Sequence, residues 1–175
     1  YSILKMVMNM RRDKYNYYLD IAEAAITRGT CLRRNFGAII VNHDQIVSTG
    51  YTGAPRGRIN CCDCGECIRE KLKLRRGERY ELSRSVHAEA NCIISASRND
   101  MIGSTLFLVG REAATGEYVK NANSCTMCQK MIINAGIEKV IVRDDIDNYR
   151  EISVSDWVEN DESLNGISAY SSTQI

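Results

Sequence analysis

The chain has 175 residues, of which 44% are apolar and 26% are charged, a composition typical of one globular domain with a sizeable core. Its net charge of +1 and its pI near 7.7 give no strong positive field, which argues against a nucleic acid as partner. With no stretch near the roughly 18 apolar residues of a membrane span, and no signal peptide in residues 1–6, we expect a cytoplasmic protein without a membrane partner.

The first third of the chain predicts a helix followed by a β-hairpin. Residues 1–12 show no clear periodicity and are assigned to an N-terminal extension, in which three methionines leave the native start open. Apolar residues at helical spacing predict a helix over 13–28, and β-rich runs at 36–42 and 45–51 predict two strands. The strands are expected to form a hairpin with His43 in its turn rather than on a metal. The buried face predicted for the helix consists of Tyr17, Tyr18, Ile21, Ala24 and Ala25.

The segment 50–57 combines three glycines with the only proline of the chain. Its backbone can approach another group closely because glycine carries no side chain, although the composition also fits a tight turn. We therefore expect either a simple turn or a loop that contacts a ligand.

Four cysteines fall within seven residues, at Cys61, Cys62, Cys64 and Cys67. In a reducing compartment such density favours a metal site over disulfides. An iron–sulfur cluster is disfavoured because Lys71 stands where the fourth cysteine of that motif would lie. A structural zinc fits better, with unligated thiols or a regulatory disulfide as the alternatives.

The later part of the chain alternates strands and helices, which predicts parallel crossovers. Helices that follow parallel strands begin at the carboxyl ends of those strands, so the two later helices are expected to begin at one edge of the sheet. Residues 148–175 are polar and serine-rich and are assigned to a tail with a short helix near Trp157. The other predicted elements are a charged helix at 66–76, a helix at 86–98, a strand at 105–109, a helix at 125–135 and a strand at 139–143.

Two of these helices carry the residues of a catalytic zinc site. His87, Cys125 and Cys128 are ligands of the types that zinc prefers, and a catalytic site keeps its fourth position open. Residues two positions apart on a regular helix point in directions that differ by about 200° around the helix axis. His87 and Glu89 can therefore face one site only where a helix begins, and Ser85 is a suitable N-cap there. Glu89 is then free to carry protons.

Together, His87-x-Glu89 and Cys125-x-x-Cys128 form the signature of zinc-dependent nucleobase deaminases. The chain resembles the cytidine and deoxycytidylate deaminase superfamily, and within it the dCMP deaminases, over roughly residues 13–145. The segments that carry the resemblance are 37–41, 50–57, 87–91, 125–128 and 134–137.

The resemblance implies a fold and a reaction. The fold is α/β, with three layers (αβα) and a mixed, largely parallel central sheet, in a domain over 13–147 with a cysteine-rich insert at about 58–84. The reaction is zinc-dependent hydrolysis of a cytosine nucleotide, dCMP to dUMP with release of ammonia. The resemblance also implies a homo-oligomer and a nucleotide effector, dCTP or dTTP.

Two alternatives to this reaction stay open. The first is a deaminase that acts on another nucleotide, a nucleoside or a base. The second is a non-catalytic zinc-binding interaction module, against which Glu89 argues, because a structural site has no need of a free carboxylate beside an open position.

The resemblance assigns roles to residues beyond the zinc ligands. The backbone at Ala88 helps to hold the pyrimidine ring, and Thr52 replaces an asparagine that contacts the substrate sugar, which leaves the sugar preference open. Arg34 and Arg56 are candidate contacts for a phosphate or an effector, with an exposed basic pair as the alternative for Arg34. Ser124 replaces a proline before the first cysteine ligand, and it can cap the helix instead.

Two further implications concern a second metal and the entrance to the site. Some phage-type relatives bind a second zinc, for which Cys31, Cys61, Cys64 and Cys67 are the candidate ligands here. The segment 110–123 is longer than is usual in the family, so we expect substrate entry to be remodelled.

Overall fold

The computed structural model describes residues 11–75 and 78–161, and it contains a five-stranded sheet with helices on both faces. None of the helices in these residues has the length and apolar character that a membrane span requires. The strands are β1 (Arg34–Asn42), β2 (Gln45–Tyr51), β3 (Thr105–Glu112), β4 (Lys139–Arg143) and β5 (Tyr149–Ser153). The helices are α1 (Lys14–Ile26), α2 (Cys61–Cys64), α3 (Ile68–Lys71), α4 (Ala88–Ile94), α5 (Arg98–Met101), α6 (Thr126–Ala135) and α7 (Val154–Glu159), and a 3₁₀ turn lies at Tyr80–Leu82.

The strands lie in the order β2-β1-β3-β4-β5. β1 and β2 pair antiparallel, and His43 and Asp44 between them have φ angles of 47° and 64°, as a two-residue type I′ turn requires. The predicted hairpin is therefore confirmed. β1 also pairs antiparallel with β3, β3 pairs parallel with β4, and β4 pairs antiparallel with β5.

The sheet is mixed, as predicted, but the expectation that it is largely parallel is wrong. β2, β3 and β4 share one direction, because β2 and β3 both run antiparallel to β1 while β4 runs parallel to β3. The hairpin places β1 between β2 and β3, so these two strands are not neighbours. As a result β3 and β4 are the one parallel pair of the described sheet.

Helices cover both faces of the sheet, which confirms the predicted three layers. On one face, Leu19 and Ala22 of α1 pack with the strand residues Ile39, Phe107 and Ile141. Residues of α4, α5, α6 and α7 pack on the other face. Successive strand residues point to opposite faces, and both faces are covered by helices. The central strands are therefore continuous runs of apolar residues. Strand residues buried on the second face are Ala38, Ile40, Leu106, Leu108, Val140 and Val142.

The buried face of α1 differs from the predicted one. Tyr18 is buried as predicted, but Tyr17 is 51% exposed, and Leu19 and Ala22 lie in the core instead. The cause is a close approach of α1 to β1, since a Cβ atom at Gly37 would lie 2.0 Å from the carbonyl oxygen of Ala22. Only glycine permits this contact, which sets the rotation of α1 against the sheet.

A second close approach positions α4 against β2. A Cβ atom at Gly50 would lie 2.3 Å from the carbonyl oxygen of Ala88 and 2.6 Å from the amide nitrogen of Cys92. The hydroxyl of Ser48 also donates to the carbonyl oxygen of Cys92, at 2.9 Å. The first turn of α4 is thereby held against the carboxyl-terminal half of β2.

The tail begins later than predicted. β5 lies within 148–175 and pairs with β4, so the sheet extends beyond the predicted domain boundary at residue 147. α7 confirms the short helix near Trp157. Residues 1–10 and 162–175, which include most of the predicted extension and the end of the tail, lie outside the described residues.

Two predicted helices are shorter in the structure. The charged helix predicted at 66–76 is reduced to α3, whose Ile68 is 38% exposed and therefore gains little from burial. The helix predicted at 86–98 is divided into α4 and α5. The division follows from Ser97, whose side chain accepts a hydrogen bond from the amide of Asp100 and so begins a new helix.

An ion network joins α1 to the sheet. The fully buried guanidinium of Arg143 on β4 donates to the carboxylates of Asp20 and Glu23, each at 2.6 Å. The carboxylate of Glu23 also accepts hydrogen bonds from Arg111 on β3 and from the hydroxyl of Tyr118. Burial raises the pKa of Glu23, but the hydrogen bonds from Arg111 and Arg143 outweigh burial and hold that pKa below its usual value.

We expect Glu23→Gln to lower the free energy of unfolding at neutral pH by roughly 2 kcal/mol, the scale of a hydrogen bond to a charged group. A carboxylate with a depressed pKa in the folded state contributes stability above its unfolded pKa, near 4.5, and loses it as pH falls through the folded pKa. Urea unfolding at several pH values should therefore show the difference from wild type shrinking below pH 4.5.

The exposed Glu117 provides the matched control. Glu117→Gln should leave both the free energy of unfolding and its pH dependence near wild type. A Glu23→Gln deficit of equal size at pH 3 and pH 7 would contradict the role given to this carboxylate.

Candidate active site

His87 and Glu89 face one site because α4 begins between them. His87 occupies the N-cap position with an extended backbone (φ −70°, ψ 153°), and Glu89 lies in the first turn. The backbone of Val86 exchanges two hydrogen bonds with Gly53, at 3.2 and 2.8 Å, which fixes the chain just before His87. The predicted position at a helix start is confirmed, whereas Ser85 precedes the N-cap by two residues, so its prediction as the cap is wrong.

α6 begins in the same way and brings two thiols to this site. Cys125 occupies its N-cap position and Cys128 lies in its first turn, so the prediction that Ser124 caps this helix is wrong. Each of the two Sγ atoms lies 3.4 Å from Nδ1 of His87, and the three ligand atoms lie within 4.8 Å of one another. A tetrahedral zinc, at about 2.0–2.1 Å from nitrogen and about 2.3 Å from sulfur, separates such atoms by about 3.5 Å. The three side chains therefore fit a zinc ion, with Nδ1 of His87 as the nitrogen ligand.

The surroundings of the two thiols prepare one of them to ionise. Hydrogen bonding with Cys128, together with smaller effects of His87 and the backbone, lowers the pKa of Cys125 to about 4 in spite of its partial burial. The pKa of Cys128 is raised, because the neighbouring thiolate and burial both disfavour a second negative charge. A divalent cation favours both thiolates, so zinc suits the pair.

Glu89 lies beside the ligand cluster without belonging to it. The residue is 4% exposed, and burial raises the pKa of its carboxyl group, an effect that the charge of His87 opposes. The nearby hydroxyl of Ser124 is buried, lowers this pKa weakly, and has no hydrogen-bond partner among the described residues. A buried carboxyl group with a raised pKa suits a role in which protons are accepted and returned.

The ligand cluster opens into a cavity of about 150 Å³. His87, Glu89 and Cys125 line it, with Phe36 from β1 and Thr52, the residue after β2. Much of the remaining lining comes from the cysteine-rich insert, including Cys61, Cys67, Arg69, Tyr80 and Arg84. The insert is therefore part of the site rather than a separate module.

Thr52 lines the cavity, but its hydroxyl is already engaged. It accepts a hydrogen bond from the amide of Phe36 at 3.0 Å and lies 3.5 Å from the carbonyl oxygen of the same residue. A hydroxyl bound in this way has less hydrogen-bonding capacity left for a ligand than a free side chain would. Ala88, the first residue of α4, is fully buried and does not line the cavity.

Of the two arginines predicted to contact a phosphate or an effector, only Arg34 lines the cavity. Its guanidinium donates to the carboxylate of Glu112 at 2.8 Å, so its charge is paired. Arg56 is exposed and does not line the cavity. Sequence analysis missed Arg69 and Arg84, which line the cavity and donate to backbone carbonyl groups.

Three of the four cysteines predicted to bind a second zinc line the cavity. They are Cys31, Cys61 and Cys67. Burial raises the pKa of the Cys61 thiol, and the charges of the neighbouring Cys31 and Cys67 raise it further. Cys64 is exposed and does not line the cavity. Across residues 11–75 and 78–161, only the cluster at His87 brings three such ligand atoms within 4.8 Å of one another.

Sequence analysis also missed Tyr80, whose ring packs against the ring of His87. The two ring centroids lie 5.0 Å apart with an interplanar angle of 85°, and the guanidinium carbon of Arg69 lies 5.0 Å from the centroid of Tyr80. In the sequence this tyrosine stands in a charged stretch that is typical of a solvated surface. Only the tertiary contact identifies it.

The long segment 110–123 folds back on β3. Arg111 and Tyr118 form an isolated antiparallel bridge within it, the amide of Val119 donates to the carbonyl oxygen of Gly110 at 3.0 Å, and Val119 is buried. Within this segment Asn123 is the residue that lines the cavity. Most of the extra length therefore lies away from the site.

Comparisons with known proteins agree with this geometry. A family model described as "Cytidine and deoxycytidylate deaminase zinc-binding region" matches residues 12–143. The deoxycytidylate deaminase of Mycobacterium phage D29 is 35% identical over 133 residues, which span 75% of this chain and 94% of that protein. The crystal structure of the dCMP deaminase of cyanophage S-TIM5 in apo form is similar at a TM-score of 0.54, with 27% identity over 77% of this chain and 85% of that one. The structure of the same enzyme in complex with dCMP and dUMP has a TM-score of 0.51, with 27% identity over 77% and 83% of the two chains.

We expect Cys128→Ser to lower the bound zinc by one equivalent per chain, because a hydroxyl is a much weaker zinc ligand than a thiolate. Cys92→Ser is the matched control, since Cys92 is an equally buried thiol on α4 that donates to the carbonyl oxygen of Ala38. Elemental analysis after gel filtration should find the lost zinc in the first variant only. Equal zinc in both variants would show that Cys128 is not a ligand.

Proposed function

This chain belongs to the cytidine and deoxycytidylate deaminase family, and we propose that it hydrolyses dCMP to dUMP and ammonia. The proposal is supported by the phage D29 relative, a deoxycytidylate deaminase, and by the cyanophage enzyme that was crystallised with dCMP and dUMP. The observation that carries it is the buried carboxyl group of Glu89 beside His87, Cys125 and Cys128 in one cavity.

The reaction needs a base that later becomes an acid, and Glu89 is suited to both roles. When bound at this cluster, zinc supplies the Lewis acidity that lowers the pKa of a water molecule towards about 7. Glu89 accepts a proton from the water, the water oxygen bonds to C4 of the pyrimidine, and Glu89 passes the proton to N3. The same carboxylate then moves the hydrogen of the new hydroxyl group to the amino group, which leaves as ammonia when the C4–N bond breaks. One water is consumed and one ammonia is released.

A non-catalytic zinc module is the alternative from another class of protein. A purely structural site closes around zinc with four protein ligands and has no need of a further carboxyl group. In the described part of the chain this cluster has three ligands, and Glu89 is buried beside it although burial disfavours its charge. This arrangement favours catalysis.

Of the proposed substrate contacts, Thr52 and Arg34 line the cavity, whereas Ala88 lies beside the lining residues His87 and Glu89 in the chain. The backbone at Ala88 holds the pyrimidine ring, and Thr52 lies near the sugar. A nucleoside monophosphate carries close to two negative charges at neutral pH, so arginines that line the cavity support a phosphate site there. Arg34 is the proposed phosphate contact, and Arg56, which lies outside the cavity, is assigned to an effector such as dCTP or dTTP.

A second, structural zinc is part of the proposal, with Cys31, Cys61, Cys64 and Cys67 as its ligands. The presence of Cys31, Cys61 and Cys67 along one cavity supports it, because four thiolates close a structural site. Cys64 would have to turn inward from the exposed end of α2, where Gly65 has a φ of 68°. Such a site would tie the segment before β1 to the insert.

Assembly and location complete the proposal. A homo-oligomer in the cytoplasm is what membership of this family leads us to expect. All eight cysteines are free in the structure, which suits a reducing compartment in which thiols stay available to metal.

We expect Glu89→Gln to reduce deamination of dCMP by at least about 10³-fold, because one carboxylate makes every proton transfer. Its bound zinc should equal that of wild type, since Glu89 is not a ligand. Steady-state ammonia release, measured together with zinc content, separates this variant from variants of the ligands. Glu159→Gln, at the exposed end of α7, is the control that should retain full activity. Near wild-type turnover by Glu89→Gln would show that the proposed mechanism is wrong.

We expect reduced, never-chelated protein to contain two zinc ions per chain, and Cys64→Ser to contain one while its deaminase site keeps its metal. Loss of a structural zinc should also lower the melting temperature, because metal binding contributes directly to folding. The matched control is Cys62→Ser, which replaces an exposed cysteine of the same short helix and should keep both ions. One zinc per chain in the wild type would contradict the second site.

A further inference from the structure

The ring of His87 is fixed on only one side by hydrogen bonding. Its Nδ1 faces the two cysteine ligands, whereas its Nε2 has no hydrogen-bond partner among the described residues. A histidine that binds a metal usually donates its second N–H to a carboxylate or a carbonyl group, which holds the ring in one orientation. The position beside this ring is occupied by Tyr80, with perpendicular ring planes and centroids 5.0 Å apart. Such an edge-to-face arrangement is favourable for two aromatic rings.

Tyr80 is itself held by a buried cation. The guanidinium carbon of Arg69 lies 5.0 Å from the ring centroid of Tyr80, within the range of a cation–π interaction. Arg69 is only 7% exposed, and it donates to the carbonyl oxygens of Arg75 at 2.7 Å and of Arg79 at 3.0 Å. A buried charge is costly unless it is hydrogen-bonded, so these contacts fix Arg69 in one place.

The contact with Arg79 determines where Tyr80 lies. Arg79 has φ 50° and ψ 47°, a left-handed conformation that is unfavourable for a residue other than glycine. The hydrogen bond from Arg69 to its carbonyl oxygen helps to offset this strain, and the 3₁₀ turn that contains Tyr80 follows directly. The two terminal nitrogens of the guanidinium fork reach the two carbonyl oxygens separately, whereas a lysine ammonium group would have to donate to both from one nitrogen.

We propose that Tyr80 is a positioning residue that keeps the His87 ring directed at the zinc, and that Arg69 holds Tyr80 in place. The inference rests on the zinc site of the proposed function. The ring supplies the effect rather than the hydroxyl group, which makes no hydrogen bond in the part of the chain that the structure describes. The cysteine-rich insert therefore acts on the catalytic metal through an aromatic contact as well as lining the cavity.

The proposal predicts a specific change in metal binding. Without the Tyr80 ring, the imidazole of His87 can rotate, so its nitrogen is directed at the metal for a smaller fraction of the time. Loss of an outer contact of a metal ligand commonly weakens metal binding by about 10- to 100-fold. We expect Tyr80→Leu to show a loss of this size, and Tyr80→Phe, which keeps the ring, to restore nearly wild-type binding.

The experiment measures transfer of zinc from the purified, zinc-loaded protein to a chromophoric chelator, with no nucleotide present. Tyr149→Leu is the matched control, because Tyr149 makes a comparable edge contact with Tyr15, at 5.5 Å and 63°, and does not line the cavity. It should leave the affinity for the catalytic zinc unchanged. Introducing Cys64→Ser into every protein removes the proposed second zinc, so that only the catalytic metal is compared.

Arg69→Met provides an independent variant that keeps the Tyr80 ring but removes its support. We expect it to weaken zinc binding by several-fold, less than Tyr80→Leu does, and this result stands even where Tyr80→Leu fails to fold. Wild-type zinc affinity in either Tyr80→Leu or Arg69→Met would overturn the proposal. A Tyr80→Phe defect as large as that of Tyr80→Leu would also overturn it, because the hydroxyl would then be the active group. Since no nucleotide is present, these outcomes do not depend on whether dCMP is the substrate.

Discussion

Two helix N-termini meet at one edge of the sheet, and the site depends on this meeting. β2 and β3 run in the same direction although β1 lies between them, so the helices that follow them, α4 and α6, begin at the same edge. Gly50 allows α4 to approach β2 more closely than any side chain would permit. His87 and Cys125 occupy the two N-cap positions, where the chain still turns into the helix, and their ligand atoms lie 3.4 Å apart. A shift of either helix would separate the three side chains that fit a zinc ion.

The cysteine-rich insert supplies much of the wall of the cavity at this edge of the sheet. The fold positions His87, Glu89 and Cys125, but much of the remaining lining of the cavity comes from residues inserted between β2 and α4. Within the insert, Arg69 is a buried cation that fixes two backbone carbonyl groups and one aromatic ring. Thiols of the same insert lie along the same cavity. The conformation of the insert and the shape of the cavity are therefore physically connected.

Features that depend on neighbouring residues could be predicted from the sequence, whereas features that depend on distant residues could not. Spacing and composition predict local features, such as the hairpin turn at His43, the strand at 139–143 and the starts of the helices at His87 and Cys125. The rotation of α1 depends on the contact between Gly37 and Ala22, and the position of β1 inside the sheet depends on pairing with β3. Those contacts join residues far apart in the chain. Tyr80 and Arg69 were not predicted for the same reason. They stand in a charged stretch, and nothing in the neighbouring sequence indicates that Arg69 is buried against the Tyr80 ring.

Hydrolysis of a cytosine nucleotide at this site is tested most directly by a comparison of four possible substrates. The zinc-loaded protein is given dCMP, CMP, deoxycytidine or dCTP separately, and the ammonia released and the uracil-containing product are quantified for each. We expect conversion of dCMP to dUMP in equal amount to the ammonia, with kcat/KM for dCMP exceeding that for deoxycytidine by at least about tenfold, since the phosphate adds binding energy in the cavity. Release of no ammonia from any of the four compounds, or equal kcat/KM for dCMP and deoxycytidine, would contradict it.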